Sequence, residues 1–180
     1  MITKQHSKYP TLSNEIGWGP VTSRFQTYAI PDESYISNIS IVPMVGDQYV
    51  MMQIESGAWE LIGGTLEPNE PYMDGLKREI AEELGAELLS FHLFGHFSCH
   101  STADKPYRPH IPHPDFIRLL GYGEVQISGK PLNPEDGETV IAVEVVSIGE
   151  AISRFLQQGR SDLAELYQFV DDLRKGVDLA

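Results

Sequence analysis

The stretch Gly64–Ala86 reads GTLEPNEPYMDGLKREIAEELGA and changes character at Tyr72. From that residue onward apolar side chains recur every four positions, a spacing that predicts an amphipathic helix. Gly85 stands where the glycine that ends a helix is expected, so the predicted helix covers 72–85. The recurring apolar residues are Leu76, Ile80 and Leu84.

Three carboxylates share another side of this predicted helix. Glu79 and Glu83 are four positions apart, and Glu79 and Glu82 are three apart, so all three side chains are neighbours on one face. Acidic residues on a helix usually form only a solvated face. However, like charges at this spacing destabilise an isolated helix, and clustered oxygen ligands are what a hard divalent cation binds. The cluster therefore favours a metal site.

The fixed residues of this stretch follow the pattern G-x5-E-x7-R-E-U-x-E-E-x-G-U, in which U is aliphatic. Only the last position, Ala86, is smaller than the pattern usually has. Seven fixed positions at a frequency of about 6–7% each give a chance match on the order of one in 10⁸ per window. The stretch resembles the Nudix box, the signature of the Nudix hydrolase superfamily. Ile62, just before it, stands where the family often has proline.

The resemblance implies a fold and a set of roles. The fold is α/β, a Nudix-type α/β/α sandwich around a mixed β-sheet. Glu82 and Glu83 correspond to the glutamates that bind the metal directly, and Glu79 to the one that binds a metal or orients the attacking water. The carbonyl of Gly63 is expected as a further ligand, and Arg78 is expected to orient a glutamate through a salt bridge.

The activity implied is hydrolysis of a pyrophosphate bond in a nucleoside di- or triphosphate derivative. Mg²⁺, or Mn²⁺ as a substitute, would lower the pKa of bound water and neutralise phosphate charge. The alternative is a catalytically silent Nudix-fold module that only senses nucleotides. Such modules usually lose a box glutamate, whereas this chain keeps them all. Modified nucleotides and nucleotide sugars both remain open as substrates.

Many members of the family recruit another acidic residue from a loop well after the box. Glu135, Asp136 and Glu138 precede a predicted strand over 139–147 and are the candidates here. Glu138 is the preferred catalytic residue, and Glu124 is a second choice. The alternative is that these residues form an ordinary acidic turn.

A His- and Pro-rich loop over 101–114 concentrates positive charge in an acidic protein. Lys105 and Arg108 are therefore expected to bind substrate phosphates, although a merely solvated loop has the same composition. Trp59 is a candidate for stacking on a base, but a strand tryptophan beside a core is more often part of the packing.

The histidines His92, His96 and His100 recur every four residues. In a strand they would share a face, with neighbours about 13 Å apart, which is too far for them to bind one ion. They are therefore expected to pack or to form an exposed ladder.

The remaining elements follow from periodicity and turn signals. Apolar, β-branched runs separated by Gly46-Asp47 predict a hairpin, and the tail predicts two amphipathic helices. A hydrolase domain over 36–180 is expected, and residues 1–35 are expected to add strands or to form a homodimer contact. The predicted strands are Phe25–Ile30, Ile36–Val45, Tyr49–Ile54, Ala58–Ile62, Leu88–Ser98, Asp115–Ile127 and Thr139–Ser147, and the tail helices cover 148–158 and 161–175.

Composition limits the function classes. With 180 residues, 41% of them hydrophobic, one compact domain is expected. The single cysteine, Cys99, excludes an internal disulfide and suits a reducing cytoplasm, and residues 1–6 do not read as a secretory signal. The longest apolar run is too short to span a membrane. A net charge of −13 argues against nucleic-acid polymers, which leaves a small nucleotide-like phosphoanhydride as the expected partner.

Overall fold

The computed structural model describes residues 8–27 and 32–179, and within those ranges it contains ten strands and three α-helices. A short 3-10 turn at Glu33–Tyr35 precedes β3. No helix in the described ranges is long and apolar enough to cross a membrane. The strands are β1 (Ile16–Trp18), β2 (Val21–Thr27), β3 (Ile36–Val45), β4 (Gln48–Ile54), β5 (Trp59–Glu60), β6 (Ile62–Thr65), β7 (Ala86–Leu88), β8 (His92–Ser101), β9 (Asp115–Ile127) and β10 (Val140–Val146), and the helices are α1 (Tyr72–Leu84), α2 (Ile148–Gln157) and α3 (Ser161–Arg174).

The strands form a mixed sheet in the order β1-β2-β8-β9-β3-β4-β10, with β5 paired to β4, β6 to β3 and β7 to β9. The β3–β9 pair is parallel, and the other recorded pairs are antiparallel. The predicted strand over 88–98 is in fact two strands, because the backbone N–H groups of residues 89 and 90 turn back to the carbonyl of Glu124 at 2.8 and 3.2 Å.

Helices cover both faces of the sheet. On one face, the apolar side of α1 packs against β3, β4 and β9 through a fully buried cluster that includes Ile39, Ile41 and Ile80. On the other face, α2 and α3 cover a second cluster that includes Phe155 and Tyr167. The predicted α/β/α sandwich around a mixed sheet is therefore confirmed.

Residues before β3 extend this sheet. The β1–β2 hairpin pairs with β8, from Val21 opposite Ser101 to Thr27 opposite Gly95. Strand β2 thus begins four residues before the predicted start at Phe25, and residues 28–30 of that prediction lie outside the described ranges. The hairpin closes one side of the sheet, next to α3.

A β-bulge separates the histidines of β8. His92 lies opposite Tyr122 and His96 lies opposite Leu119, so four steps along β8 match only three along β9. The extra residue falls within 93–95. Because side chains alternate along a strand, this places His92 and His96 on opposite faces. The expectation that the three histidines share a face is therefore wrong.

Candidate active site

Arg78 connects the box glutamates to the loop before α1. Its Nη1 donates to Glu79 Oε1 at 2.8 Å and to Glu82 Oε2 at 3.3 Å. Its Nε and Nη2 form a bidentate pair with Glu70 at 2.9 and 3.0 Å. Hydrogen bonds from Arg78 hold the pKa of Glu70 below its usual range. One guanidinium thus fixes the loop and two helix carboxylates relative to each other.

Two glycines bring the backbone of β6 against the same carboxylates. The N–H of Gly63 donates to Glu83 Oε2 at 2.9 Å. The Cα of Gly64 faces Glu79 so closely that a Cβ built there would lie 2.2 Å from Oε1. Gly63 has φ +135°, and its Cβ would lie 2.2 Å from the Ile39 carbonyl oxygen. Gly63 therefore requires glycine for its backbone conformation and its close approach to β3, whereas glycine at position 64 leaves room for the Glu79 carboxylate.

Burial and neighbouring charges shift the pKa values of Glu79 and Glu83. Burial raises the pKa of Glu83 well above its usual range. The carboxylates of Glu79, Glu82 and Glu138 raise it further. Burial also raises the pKa of Glu79, although Arg78 opposes this effect. The cluster carries more negative charge than Arg78 neutralises, so a cation placed among these oxygens would stabilise their ionised forms.

The donor set suits a hard divalent cation, although it is not arranged as a formed metal site. Across the described ranges, no group of three or more His, Cys, Asp or Glu side chains has that arrangement. The contacts explain why: Glu79 and Glu82 share Arg78, and Glu83 accepts the N–H of Gly63. Gly63 contacts the glutamates through its backbone N–H, which bonds to Glu83, whereas its carbonyl was expected as the metal ligand.

The segment between β9 and β10 wraps the last turn of α1. The N–H groups of residues 132 and 133 donate to the carbonyl of Glu82 at 2.9 and 3.4 Å. The Asn133 side chain then closes a loop, because it accepts the N–H of Val140 at 2.8 Å and donates to the carbonyl of Val140 at 3.1 Å. This loop carries Glu138 close enough to the box to raise the pKa of a box glutamate.

The other late carboxylates lie elsewhere. Glu124 is on the sheet face opposite α1, because its neighbour Val125 packs in the α1 cluster and side chains alternate. It pairs with Met44, four residues along β3 from Ser40, which pairs with Gly63. Glu124 is thus about 13 Å from the glycine pair along the strand. Glu135 and Asp136 are exposed in the turn that precedes Glu138.

The loop over 101–114 lies against residues 66–71, which connect β6 to α1 and are called the box loop below. The Tyr107 hydroxyl hydrogen-bonds with the Thr65 hydroxyl, and the Nε2–H of His110 donates to the Leu66 carbonyl at 2.7 Å. Arg108 reaches Glu67 at 3.5 Å, in an exposed ion pair. Lys105 is exposed on the same loop. The loop is thus attached to the segment that leads into α1.

Trp59 lies outside the site. The backbone N–H of Trp59 donates to Gln158 Oε1 at 2.8 Å, and the side-chain amide of Gln158 donates back to the backbone carbonyl of Trp59. The Arg154 guanidinium lies 4.5 Å from the centroid of its ring. Trp59 is thus held by residues in and just after α2 and packs against the core cluster beside α2, which fits the packing alternative for this residue rather than a role in stacking on a base.

A cleft of about 450 Å³ opens beside the glycine pair, on the sheet face that α3 covers. Its volume is in the range that small-molecule sites have. It contains two arginines, neither of which sequence reasoning identified. One signal was available, because Arg118 is a charged residue between the apolar pairs Phe116-Ile117 and Leu119-Leu120 of β9. The lining comprises Trp18, Ser40, Glu60, Leu61, Gly63, Gly64, Phe97, Arg118, Leu120, Arg160 and Leu163.

A larger cleft of about 820 Å³ lies between the box loop and residues 110–112. Its charged lining includes the carboxylates of Glu33, Glu67 and Glu70, and among the described residues no lysine or arginine lines it. Such a surface repels a polyphosphate. The smaller cleft, with two arginines and direct access to the glycine pair, is the better site for an anionic ligand.

Comparison with known proteins identifies the same family and fold. The family model described as NUDIX domain matches residues 35–169. A pyrophosphohydrolase of Bacillus subtilis, solved as a mutant, is similar at 15% identity with a TM-score of 0.55, covering 69% of this chain and 71% of its own. A NUDIX hydrolase from Nitrosomonas europaea is similar at 20% identity with a TM-score of 0.54, covering 78% and 90%.

A MutT protein from Methanosarcina mazei Go1 is also similar, at 17% identity with a TM-score of 0.51, covering 76% of this chain and 95% of its own. At these identities the three structures support the fold alone. A search of curated protein sequences finds no match. The match to the family model extends over most of the sheet and includes the whole box, and the chain therefore belongs to the Nudix family.

Proposed function

We propose that the protein is a metal-dependent hydrolase that cleaves a pyrophosphate bond in a nucleoside di- or triphosphate derivative. The observation that carries this proposal is that Gly63 and Gly64 are shared by two features. On one side they contact the carboxylates of Glu83 and Glu79, and on the other they line the cleft beside α3. A phosphate chain at the glycine pair can therefore lie beside the carboxylates while the nucleoside occupies the cleft.

The residues divide the chemistry between them. Glu79, Glu82 and Glu83 are the oxygen ligands for Mg²⁺ or Mn²⁺, which supplies charge neutralisation and a lower pKa for water when bound. Arg78 keeps Glu79 in place through its bond at 2.8 Å. Glu138, which approaches from a separate loop, accepts the proton of the attacking water.

The basic side chains that surround the site bind the substrate in this proposal. Arg118 and Arg160 line the cleft, and Arg160 is held by Glu60 at 3.2 Å. Lys105 and Arg108 project from the loop attached to the box loop and contribute charge at longer range. The net charge of −13 supports a small substrate bound through metal ions rather than a nucleic-acid polymer.

The test is a panel of nucleoside di- and triphosphates, modified nucleotides and nucleotide sugars, incubated with Mg²⁺, Mn²⁺ or EDTA. Released phosphate and pyrophosphate are measured. We expect turnover of at least one nucleotide with metal and its loss in EDTA, because carboxylates beside a polyphosphate need positive counter-charge. Turnover that persists undiminished in EDTA would contradict the proposal.

The sensor alternative gives a different result in the same panel. A silent module would bind nucleotides without releasing phosphate or pyrophosphate under any metal condition. The presence of Glu79, Glu82 and Glu83, together with Arg78, supports the enzyme over the sensor. Calorimetric binding of a nucleotide that the protein never cleaves would favour the sensor.

A further inference from the structure

The wall of the cleft includes a residue from outside the stretch that the family model matches. Trp18, in β1, packs edge-on against Phe97 with ring centroids 4.9 Å apart. The guanidinium carbon of Arg118 lies 5.2 Å from the centroid of the Trp18 ring. Arg118 is also the cross-strand neighbour of Phe97. The hairpin before β3 thus places an indole ring beside a guanidinium in the wall of the cleft.

The charge of Arg118 is unusual in this acidic protein. Arg160, in the same cleft, is held by carboxylates of Glu60 and Asp162 at 3.2 and 2.9 Å. By contrast, within residues 8–27 and 32–179 no carboxylate lies within ion-pair distance of Arg118, which is partly buried. A guanidinium that lines a cleft and has no ion-pair partner among those residues is available to bind hydrogen-bond acceptors of a ligand.

The distance from this surface to the glycine pair suits a nucleoside. Arg118 pairs with Asn38 on β3, and Gly63 pairs with Ser40 on the other side of β3. Two residues along the strand and two strand spacings across the sheet separate the backbones by about 12 Å. A ligand whose phosphates lie at the glycines can therefore place its base beside Trp18 and Arg118.

We propose that Trp18 and Arg118 form the base-recognition element of the cleft and that it selects 6-oxopurine nucleotides. The base stacks on the Trp18 ring beside the guanidinium, and the Arg118 fork, lying in the plane of the base, donates to O6 and N7, the adjacent acceptors on one edge of such a base. Adenine has a donor in place of O6 and loses one of these bonds. This inference rests on the proposed function for the orientation of the substrate, because the phosphates are taken to lie at the glycine pair.

Binding tests the proposal without relying on turnover. The chain contains two tryptophans, Trp18 and Trp59, so Trp59→Phe leaves Trp18 as the sole indole. This variant is titrated with guanosine monophosphate and with adenosine monophosphate in Mg²⁺. Neither ligand has a phosphoanhydride bond to cleave. We expect fluorescence quenching, with a Kd for the guanosine compound that is lower by about fivefold or more.

Three variants complete the experiment. Arg118→Gln in the same background should reduce the guanosine preference to below about twofold, and Arg118→Lys should also lose it because an ammonium lacks the planar fork. In Trp18→Phe, which keeps Trp59, the fluorescence should not respond. Circular dichroism melting verifies that each variant is folded.

Different results would overturn the base-recognition proposal and the proposed hydrolysis. Absence of quenching in Trp59→Phe, or a guanosine preference that survives Arg118→Gln, would overturn the base-recognition proposal. Failure of the substrate panel would instead overturn the proposed hydrolysis and leave the binding result intact.

Discussion

The Cα of Gly64 touches the carboxylate of Glu79, and a Cβ built there would lie 2.2 Å from Oε1. That oxygen is at the end of a flexible side chain, so Gly64→Ala displaces the carboxylate at little cost to the fold. We expect kcat to fall by about 10²-fold, the scale of a 1 Å misplacement, with a small change in the free energy of unfolding. Steady-state kinetics and urea unfolding measure the two effects.

Gly63→Ala is the matched contrast. Its Cβ would lie 2.2 Å from the backbone oxygen of Ile39, and its φ of +135° is strained for any other residue. This variant should be destabilised by about 1–3 kcal/mol or more. Equal destabilisation of the two variants would contradict the separate roles given to the glycines.

Glu83→Gln should raise the stability of the metal-free protein at neutral pH while removing most turnover. Burial raises the pKa of Glu83, so in the unfolded chain this carboxyl ionises at a lower pH than in the fold. The metal-free parent therefore loses stability as pH rises from about 4.3 through the raised pKa. Glutamine does not ionise, so the stability of the variant does not fall for this reason. Melting temperatures in EDTA at pH 4.5 and pH 8 measure the difference.

The variant should melt above the parent at pH 8, and the gap should narrow towards pH 4.5. Glu82→Gln serves as the companion variant for turnover, since it removes a second box carboxylate. If Glu83→Gln melts well below the parent at pH 8, the carboxylate stabilises the fold and its assignment as a metal ligand is wrong.

Glu138→Gln should lower kcat by about 10²-fold or more and leave KM nearly unchanged, because proton transfer matters mainly in the transition state. Glu135→Gln changes the same exposed loop, and Glu124→Gln changes the opposite sheet face, so both should retain turnover. Initial rates over a range of substrate concentrations separate the constants. Loss of activity in either control, with full activity in Glu138→Gln, would transfer the role to that residue.

Replacing Lys105 and Arg108 by alanine should raise KM about two- to fivefold, with a smaller change in kcat, because exposed charges contribute about 0.2–1 kcal/mol each. The same charge change made elsewhere, as Arg24→Ala with Lys175→Ala, is the control for net charge. Unchanged kinetics for every nucleotide cleaved, or an equal effect of the control, would leave the loop without a role in binding.

Local patterns predicted the box helix well, because its periodicity and its fixed residues lie within 23 consecutive positions. The cleft could not be predicted in this way. Trp18 and Arg118 are 100 positions apart, and they meet only because β2 pairs with β8 and β8 pairs with β9. No short-range pattern specifies which strands become neighbours in a mixed sheet.

The same dependence on distant residues explains why Trp59, a candidate for stacking on a base, lies in packing instead. Its strand has only two residues, and its environment is set by Gln158 and Arg154, which follow it by more than 90 positions. The histidine spacing on β8 failed for a different reason. A single extra residue in the strand reverses the face of every side chain beyond it. One signal was available, because Gly95 is an isolated glycine within the strand, which is typical of a bulge.

The segment before β1 is fastened to α3. The Glu165 carboxylate accepts the N–H groups of Thr11 and Leu12 at 3.0 and 2.9 Å, and the Tyr9 hydroxyl donates to Asp172, 163 positions away. On the ribosome, α3 emerges only after every strand of the sheet has been synthesised. Contacts of such long range form slowly. The contacts that hold this early segment in place can therefore form only after the rest of the sheet has been made.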